Sequence, residues 1–166
     1  MDEIKFKSKL TEQDLFNFYL YNAYTSSQGV ISIVFGIIGI AAGIFTIGKL
    51  EGIYPIAYII LGILFFFYLP FALKFRAKNS IKNEILSSEM EYTVTNKGVH
   101  IKVNEEEADM TWDLVYKVVT KKDLLLVYSN MKSAYIIPRQ FITGKEDDII
   151  KVFRENLPEH RLKIKW

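Results

Sequence analysis

The chain has 166 residues, of which 50% are hydrophobic and 24% are charged, with a net charge of +2 and no cysteine. The lack of cysteine excludes disulfide frameworks, thiolate metal sites and cysteine nucleophiles. Outside its two long apolar runs, the chain has enough residues for one soluble domain at most. A cleaved signal peptide is not expected, because the first apolar run is longer than a signal h-region and no polar cleavage region follows it.

The N-terminal segment, residues 1–28, begins with a strand pattern and continues with a helix pattern. Apolar or small residues alternate with lysines from Ile4 to Leu10, which predicts a strand with one basic face. Thr11 and Asp14 have the spacing of a capping box, so a helix should begin there. This aromatic-rich helix lies at a membrane interface, packs on the soluble domain or extends the first apolar run, and the sequence leaves these alternatives open.

The N-terminal strand should belong to the C-terminal domain. A lone strand is not stable in water, where three or more strands with an apolar face are needed. We therefore expect residues 1–10 to pair with the sheet that follows residue 87, which would also cover one exposed sheet edge.

Residues 29–73 contain two apolar runs, at 29–48 and 53–73, and neither run includes a charged residue. Each has about the ~20 residues that a helix needs to cross a hydrocarbon core ~30 Å thick. Peptide groups find no water in such a core, so both runs should be helices. A core helix of a soluble protein usually keeps a polar stripe, and neither run has one. The sequence therefore predicts a transmembrane hairpin.

The first run carries glycines at helix-packing spacing, namely Gly36, Gly39 and Gly43. Small residues at this spacing let two helix backbones approach closely in lipid. They form either the seam of a homodimer or the contact with the second run of the same hairpin. We favour the second interpretation, because the short loop forces the two runs to lie side by side.

A basic juxtamembrane linker, residues 74–86, follows the second run and contains Lys74, Arg76, Lys78 and Lys82. The positive-inside rule then places both termini in the cytoplasm of a multi-pass protein of the bacterial inner membrane. These residues either bind anionic lipid headgroups or act only as a stop-transfer flank. Neither run contains an ionisable acid, base or histidine, so the hairpin alone is a poor candidate for a transporter.

Residues 87–166 should form the soluble domain. Alternating patterns at 90–94 and 99–103, joined by a turn at 96–98, predict a hairpin, and further strands are predicted at 110–118, 124–128 and 133–137. The acidic stretch between the second and third strands lacks the ligand spacing of a calcium loop and should be a solvated loop. We expect Trp112, which shares a strand face with Leu114 and Tyr116, to be largely buried between the sheet and the C-terminal helix.

The C-terminal helix is predicted from its cap and its apolar face. Thr143 and Glu146 have capping-box spacing, and the apolar face contains Ile149, Ile150, Phe153 and Leu157. The tail at 162–166 alternates apolar and basic residues and should form a last short strand.

The order of these elements resembles a known family. The resemblance rests on Gly98, the Trp112-Asp113-Leu114-Val115-Tyr116-Lys117-Val118 stretch, Leu124-Leu125-Leu126-Val127, and Ile136-Ile137-Pro138-Arg139 with Phe141. These features are similar to the YcxB-like membrane proteins of bacteria, whose C-terminal domain is similar to bacterial pleckstrin-homology-like (PH-like) domains. The resemblance covers nearly the whole chain and implies no catalytic residue and no settled function.

The expected fold is therefore that of an α+β membrane protein. A two-helix transmembrane hairpin precedes a cytoplasmic PH-like antiparallel β-sheet domain, which a C-terminal helix closes. No Walker loop, nucleophile elbow, zinc-protease motif or cysteine–histidine cluster occurs. The only histidines, His100 and His160, are isolated in the sequence. We therefore expect no enzyme activity, no cofactor, no metal site and no nucleic-acid binding.

The favoured hypothesis is a membrane-anchored, non-catalytic interaction module that binds a partner protein, a peptide or lipid headgroups at the cytoplasmic face. Pairing of a partner strand with a sheet edge is one mechanism open to it. The alternative is an immunity protein against a membrane-active peptide, or an accessory subunit of an ABC-type export complex. A toxin-peptide or transporter gene beside its own gene would favour the alternative, and the sequence leaves homo-oligomer formation open.

Overall fold

The computed structural model describes residues 3–166, apart from the side chain of Gln28; Met1 and Asp2, where the predicted N-terminal segment begins, lie outside the described residues. The chain divides into two compact units. One comprises the residues up to Leu15 together with Ser80–Trp166, and the other is Phe16–Asn79. Over the described range the elements are β1 (Ile4–Lys9), α1 (Glu12–Tyr24), α2 (Ser27–Thr46), α3 (Ile53–Ser80), α4 (Glu84–Ser87), β2 (Glu89–Val94), β3 (Gly98–Val103), β4 (Glu106–Thr111), β5 (Lys117–Lys121), β6 (Leu124–Tyr128), β7 (Ala134–Pro138), α5 (Glu146–Asn156) and β8 (Leu162–Lys163).

The unit Phe16–Asn79 is helical and contains the two apolar runs as α2 and α3. Their most apolar segments have mean hydropathies of 2.3 and 2.4, and only 17% of each segment is buried. Pro55 lies in the first turn of α3, where its missing N–H leaves no helical bond unmade. The helix continues beyond the predicted end of the second run to Ser80, so part of the predicted basic linker is helical.

The capping box predicted at the start of α1 is confirmed. The Asp14 N–H donates to Thr11 Oγ1 at 3.2 Å, and the Thr11 N–H donates to Asp14 Oδ2 at 3.0 Å. These two bonds satisfy backbone donors that would otherwise lack partners at the helix start.

The first sheet has the strand order β1-β2-β3-β4, and each pair of neighbouring strands in it is antiparallel. β1 pairs with β2 from Ile4↔Val94 to Lys9↔Glu89, so the predicted pairing of the N-terminal strand is confirmed. The rings of Phe6 and Tyr92 stack with centroids 5.1 Å apart, and both side chains are buried. The alternation in β1 therefore places its apolar face in the core of the domain and its lysines in solvent.

The second sheet has the order β7-β6-β5-β8. The central strand β6 is buried at all five positions, as its unbroken apolar sequence predicts for a strand covered on both faces. β5 and β6 are joined by a tight turn in which Lys122 adopts a left-handed conformation, with a φ of 50°. The predicted C-terminal strand exists as β8, which pairs with β5 in parallel at Val118↔Leu162.

α5 covers the core with the face that the sequence predicts. Ile149 and Phe153 are fully buried, and Ile150 and Leu157 are also buried. At its start the predicted capping box is wrong, because Thr143 donates to the carbonyls of Arg139 and Gln140 and not to the helix. Glu146 instead accepts the Gly144 N–H at 2.6 Å.

The stretch between β3 and β5 differs most from its prediction. Three of the four acidic residues expected to form a loop, Glu106, Glu107 and Asp109, lie in β4, which pairs with β3 from Gly98↔Thr111 to Val103↔Glu106. The single strand expected at 110–118 is interrupted by a 3-10 turn, Trp112–Leu114. Gly98 is needed at this pairing, because a Cβ there would lie 2.9 Å from the Thr111 Cα.

Trp112 lies in this turn and not on a strand. Its ring packs edge-on against Phe153 of α5, with centroids 5.6 Å apart, and its Nε1 donates to the Asn96 carbonyl at 2.9 Å. The predicted contact with the C-terminal helix is thus present, but the side chain is half-buried. Leu114 and Tyr116, expected on the same buried face, are 56% and 45% exposed.

The β1–β2 pairing makes Phe6→Ala a test of how strongly the N-terminal strand supports the domain. Removal of this buried ring should lower the free energy of unfolding by about 3–5 kcal/mol. Lys5→Ala is the matched control, because the neighbouring side chain is exposed. Urea unfolding of the full chain in detergent, followed by tryptophan fluorescence, measures both, and equal midpoints would contradict the pairing.

The start of α5 should make the domain sensitive to acid. The N–H groups of Glu146 itself and of Gly144, with the Arg139 guanidinium, hold the pKa of the Glu146 carboxyl below its ordinary value of 4.5. A lowered folded-state pKa stabilises the fold above the unfolded-state pKa, and this contribution is lost as the pH falls through the folded-state pKa. Thermal midpoints recorded between neutral pH and pH below 4.5 should therefore fall less in Glu146→Gln than in the parent. Glu155→Gln, at the other end of α5, controls for the loss of one negative charge.

Candidate interaction surfaces

The three predicted packing glycines of α2 lie against α3. A Cβ on Gly36 would come 2.6 Å from the Phe66 ring, and one on Gly43 would come 2.8 Å from the Pro55 carbonyl oxygen. Rising numbers in α2 thus meet falling numbers in α3, so the two helices are antiparallel. The glycines are used inside the hairpin, which is the interpretation that the short loop favours.

The centre of this contact is a pair of glycines from the two helices. A Cβ on Gly39 would lie 2.9 Å from the Gly62 Cα, and a Cβ on Gly62 would lie 2.7 Å from the Ile40 nitrogen. The Ser32 hydroxyl adds one hydrogen bond between the helices, to the Phe65 carbonyl at 2.9 Å. In lipid the hydrophobic effect does not drive helices together. Close packing of two helix backbones, as seen here, stabilises their association instead.

The structure places three of the predicted basic residues, Lys74, Arg76 and Lys78, on the exposed last turns of α3. Lys74 and Lys78 are four residues apart and therefore share one helix face. The Arg76 guanidinium lies 4.7 Å from the centre of the Tyr19 ring, so a cation–π contact with α1 occupies it. Lys82 lies beyond α3, in the turn before α4, and is also exposed.

A groove of about 340 Å³ lies between α5 and the C-terminal residue Trp166. The Trp166 Nε1 donates to the Lys122 carbonyl at 2.9 Å, and the Arg139 guanidinium lies 4.5 Å from the ring centre. The walls mix carboxylates and cations, so the groove has no dominant charge. Its lining residues are Asp147, Ile150, Lys151, Arg154, Glu155 and Trp166.

The acidic and histidine side chains do not combine into a metal site within residues 3–166, since no group of three or more potential ligands occurs there. His100 pairs with a carboxylate on the neighbouring strand, with its Nδ1 2.7 Å from Asp109 Oδ1. This cross-strand pair lies on the exposed face of the first sheet.

Residues 94–152 match the family model described as YcxB-like protein. The chain carries a YcxB-like domain. The match runs from the end of β2 through most of α5, so the predicted resemblance is confirmed over these residues. Comparisons with curated proteins and with solved structures gave no match.

The YcxB-like domain folds with segments that lie outside the matched residues. β1 and most of β2 complete its first sheet, and β8 completes its second. The matched residues alone would leave β3 without β2 on one side and β5 without β8.

The sequence did not predict the contacts that Gly62, Tyr19 and Trp166 make with Gly39, Arg76 and Arg139, respectively. Gly62 could have been found, because it is the one glycine within the second apolar run, at 53–73. Tyr19 and Trp166 could not, because nothing in their spacing links them to Arg76 or Arg139, which are distant in sequence.

The glycine contact predicts that Gly39→Leu destabilises the helix pair. A branched side chain would force the α2 and α3 backbones apart, at a cost of about 1–3 kcal/mol as in other overpacked sites. Gly52→Ala is the control, because a Cβ at that position meets no atom within 4 Å. The loss of helical circular dichroism in a denaturing detergent titration measures both. An unchanged titration combined with loss of dimer cross-linking would assign the glycines to a homodimer seam.

Proposed function

We propose that the chain is a membrane-anchored, non-catalytic interaction module, with α2 and α3 as a transmembrane hairpin and the YcxB-like domain as its binding part. The observation that carries the proposal is the exposure of the helix pair. Phe45, Phe67 and Phe71 are 73%, 69% and 74% exposed, and other large apolar side chains on both helices are also exposed. Apolar surface of this extent is rare on soluble proteins and is typical of a surface that contacts lipid or another protein.

The polar groups of the helix pair support a lipid environment for it. The Thr46 hydroxyl donates to the Ala42 carbonyl and the Ser32 hydroxyl to the Phe65 carbonyl, so these hydroxyls do not depend on water. The first cations after the apolar part of α3 lie in its last two turns, where side chains could reach headgroups. At about 1 kcal/mol for each basic residue near an anionic surface, Lys74 and Lys78 would strengthen anchoring.

The orientation follows from the charge bias. We place the termini in the cytoplasm of a bacterial inner membrane, because the loop between the helices has one lysine, Lys49, whereas Lys74, Arg76 and Lys78 follow the second span. The domain fits a PH-like architecture, since two largely antiparallel sheets are closed by the single helix α5. In this proposal the domain carries no reaction and binds a partner protein, a peptide or lipid headgroups.

Single cysteines test the anchor and its orientation, because the natural chain contains none. We choose Leu50, which is 46% exposed in the loop between α2 and α3, and Glu105, which is exposed in the turn before β4. In intact cells an impermeant maleimide should label Leu50→Cys, whereas Glu105→Cys should react only after permeabilisation. The chain should also stay with the membrane pellet after alkaline carbonate extraction. Release into the supernatant would contradict the anchor, and reversed labelling would contradict the orientation.

A further inference from the structure

One end of the second sheet exposes large apolar side chains. At this end β5 begins, β6 ends and β7 begins, and the Tyr116 N–H donates to the Tyr128 carbonyl at 2.8 Å. Leu114 and Tyr116 are 56% and 45% exposed, and Met131, in the loop between β6 and β7, is 74% exposed. These three side chains are the apolar part of what we call the end surface.

The conformation of the backbone determines that these side chains are exposed. Val115 is fully buried, so its neighbours Leu114 and Tyr116 are directed away from the core. The Arg161 guanidinium fixes this segment by donating to the Val115 carbonyl at 2.9 Å. The Met131 loop is held by Asn130 Oδ1, which accepts from the Lys132 and Ser133 N–H groups. Two independent anchors therefore hold the apolar side chains in solvent.

Cations lie at the same end of the sheet. Lys117 Nζ lies 4.4 Å from the Tyr128 ring centre and 5.7 Å from that of Tyr116. Lys163 of β8 is close enough to repel it, and burial together with Lys163 lowers the pKa of Lys117. In the part of the chain that the structure describes, Lys117, Arg161 and Lys163 form no ion pair.

The sequence around this end of the sheet carries more cations than carboxylates. The exposed carboxylates nearest in sequence are Asp113, beside Leu114, and Glu159, two residues before Arg161. They oppose Lys117, Arg161 and Lys163, so the balance of charge is positive. The end surface thus combines exposed aliphatic, thioether and phenol groups with an excess of positive charge.

We propose that the end surface docks on an anionic lipid bilayer, an inference that rests on the proposed membrane anchoring and names the surface that the domain uses. Tyrosine with long aliphatic side chains suits the boundary between headgroups and acyl chains, and lysine and arginine suit anionic headgroups. A neutral peptide groove would not need unpaired cations at its rim. Charge complementarity therefore favours a lipid surface as the occupant, over a peptide or a second copy of the chain.

The full chain in nanodiscs tests this, with an environment-sensitive fluorophore on Met131→Cys as the only thiol. In discs containing phosphatidylglycerol the emission should shift to the blue and be quenched by a spin-labelled lipid, and added salt should weaken both effects. In discs of phosphatidylcholine alone the label should remain in water. The same label on Lys122→Cys, in the β5–β6 turn at the opposite end of the second sheet, should stay in water in both discs.

Charge reversal provides the matched comparison. Lys163→Glu should lower the ratio of docked to undocked label by at least about fivefold, the effect expected for one basic residue near an anionic surface. Lys122→Glu changes the net charge equally, lies at the opposite end of the second sheet and should leave the ratio unchanged. Leu114→Gln, at an exposed position, should also reduce docking, and unchanged circular dichroism shows that each variant is folded.

The outcomes separate this inference from the proposed function. A chain that inserts into discs but leaves the Met131 label in water with phosphatidylglycerol overturns the docking and retains the anchor. Shielding that is equal in both lipids overturns the docking on anionic headgroups, and shielding that grows with protein concentration in detergent overturns it and points to a protein occupant. A chain that does not insert into discs overturns both proposals.

Discussion

The pairing of β1 with β2 is the contact on which the rest of the structure depends. Lys9 and Glu89 are register partners, so the chain leaves the first sheet, passes through α1 to α4 and returns to the same place. Closing so long an excursion has an entropic cost that grows slowly with its length. The burial of Phe6 against Tyr92 offsets it, and Lys7 adds ion pairs to Glu89 and Glu91 across the strands.

The helical segment between β1 and β2 can return to the first sheet because it folds back on itself. α2 and α3 are antiparallel, and the glycines that allow their close contact are spread along α2 from Gly36 to Gly43. The same glycines would be poor choices for a helix pair in water, where they lower helix propensity and bury little surface. Their placement is reasonable where close backbone contact, and not burial of large side chains, holds helices together.

The exposed face of the first sheet carries ion pairs between neighbouring strands. Lys102 pairs with Glu107 and His100 with Asp109 between β3 and β4, and the four side chains are between 36% and 80% exposed. Such surface pairs contribute roughly 0–1 kcal/mol each, so their main effect is on register. β4 is an edge strand with no strand beyond it among the described residues, and its carboxylates discourage pairing with another chain.

The sequence by itself determined the elements whose signal is local. The two apolar runs, the capping box at Thr11, the β2–β3 hairpin, the strand at 124–128 and the apolar face of α5 all follow from periodicity or from residues a few positions apart. The resemblance to YcxB-like proteins was likewise visible in short motifs, and it holds over residues 94–152. The basic residues after the second apolar run were also visible as a cluster, but not as a continuation of α3.

Only the tertiary structure decided the features that depend on residues distant in sequence. β4 is a strand because β3 supplies its hydrogen bonds, although four acidic residues in five positions favour a loop. The pattern from Met110 to Val118 looks like one strand, yet the chain must pass there from the first sheet to the second, and the turn at Trp112 makes that passage. Leu114 and Tyr116 are exposed for the same reason, since the turn reverses which side of the chain faces the core. Periodicity records which residues are apolar, whereas the sheet to which each strand belongs determines which of them are buried.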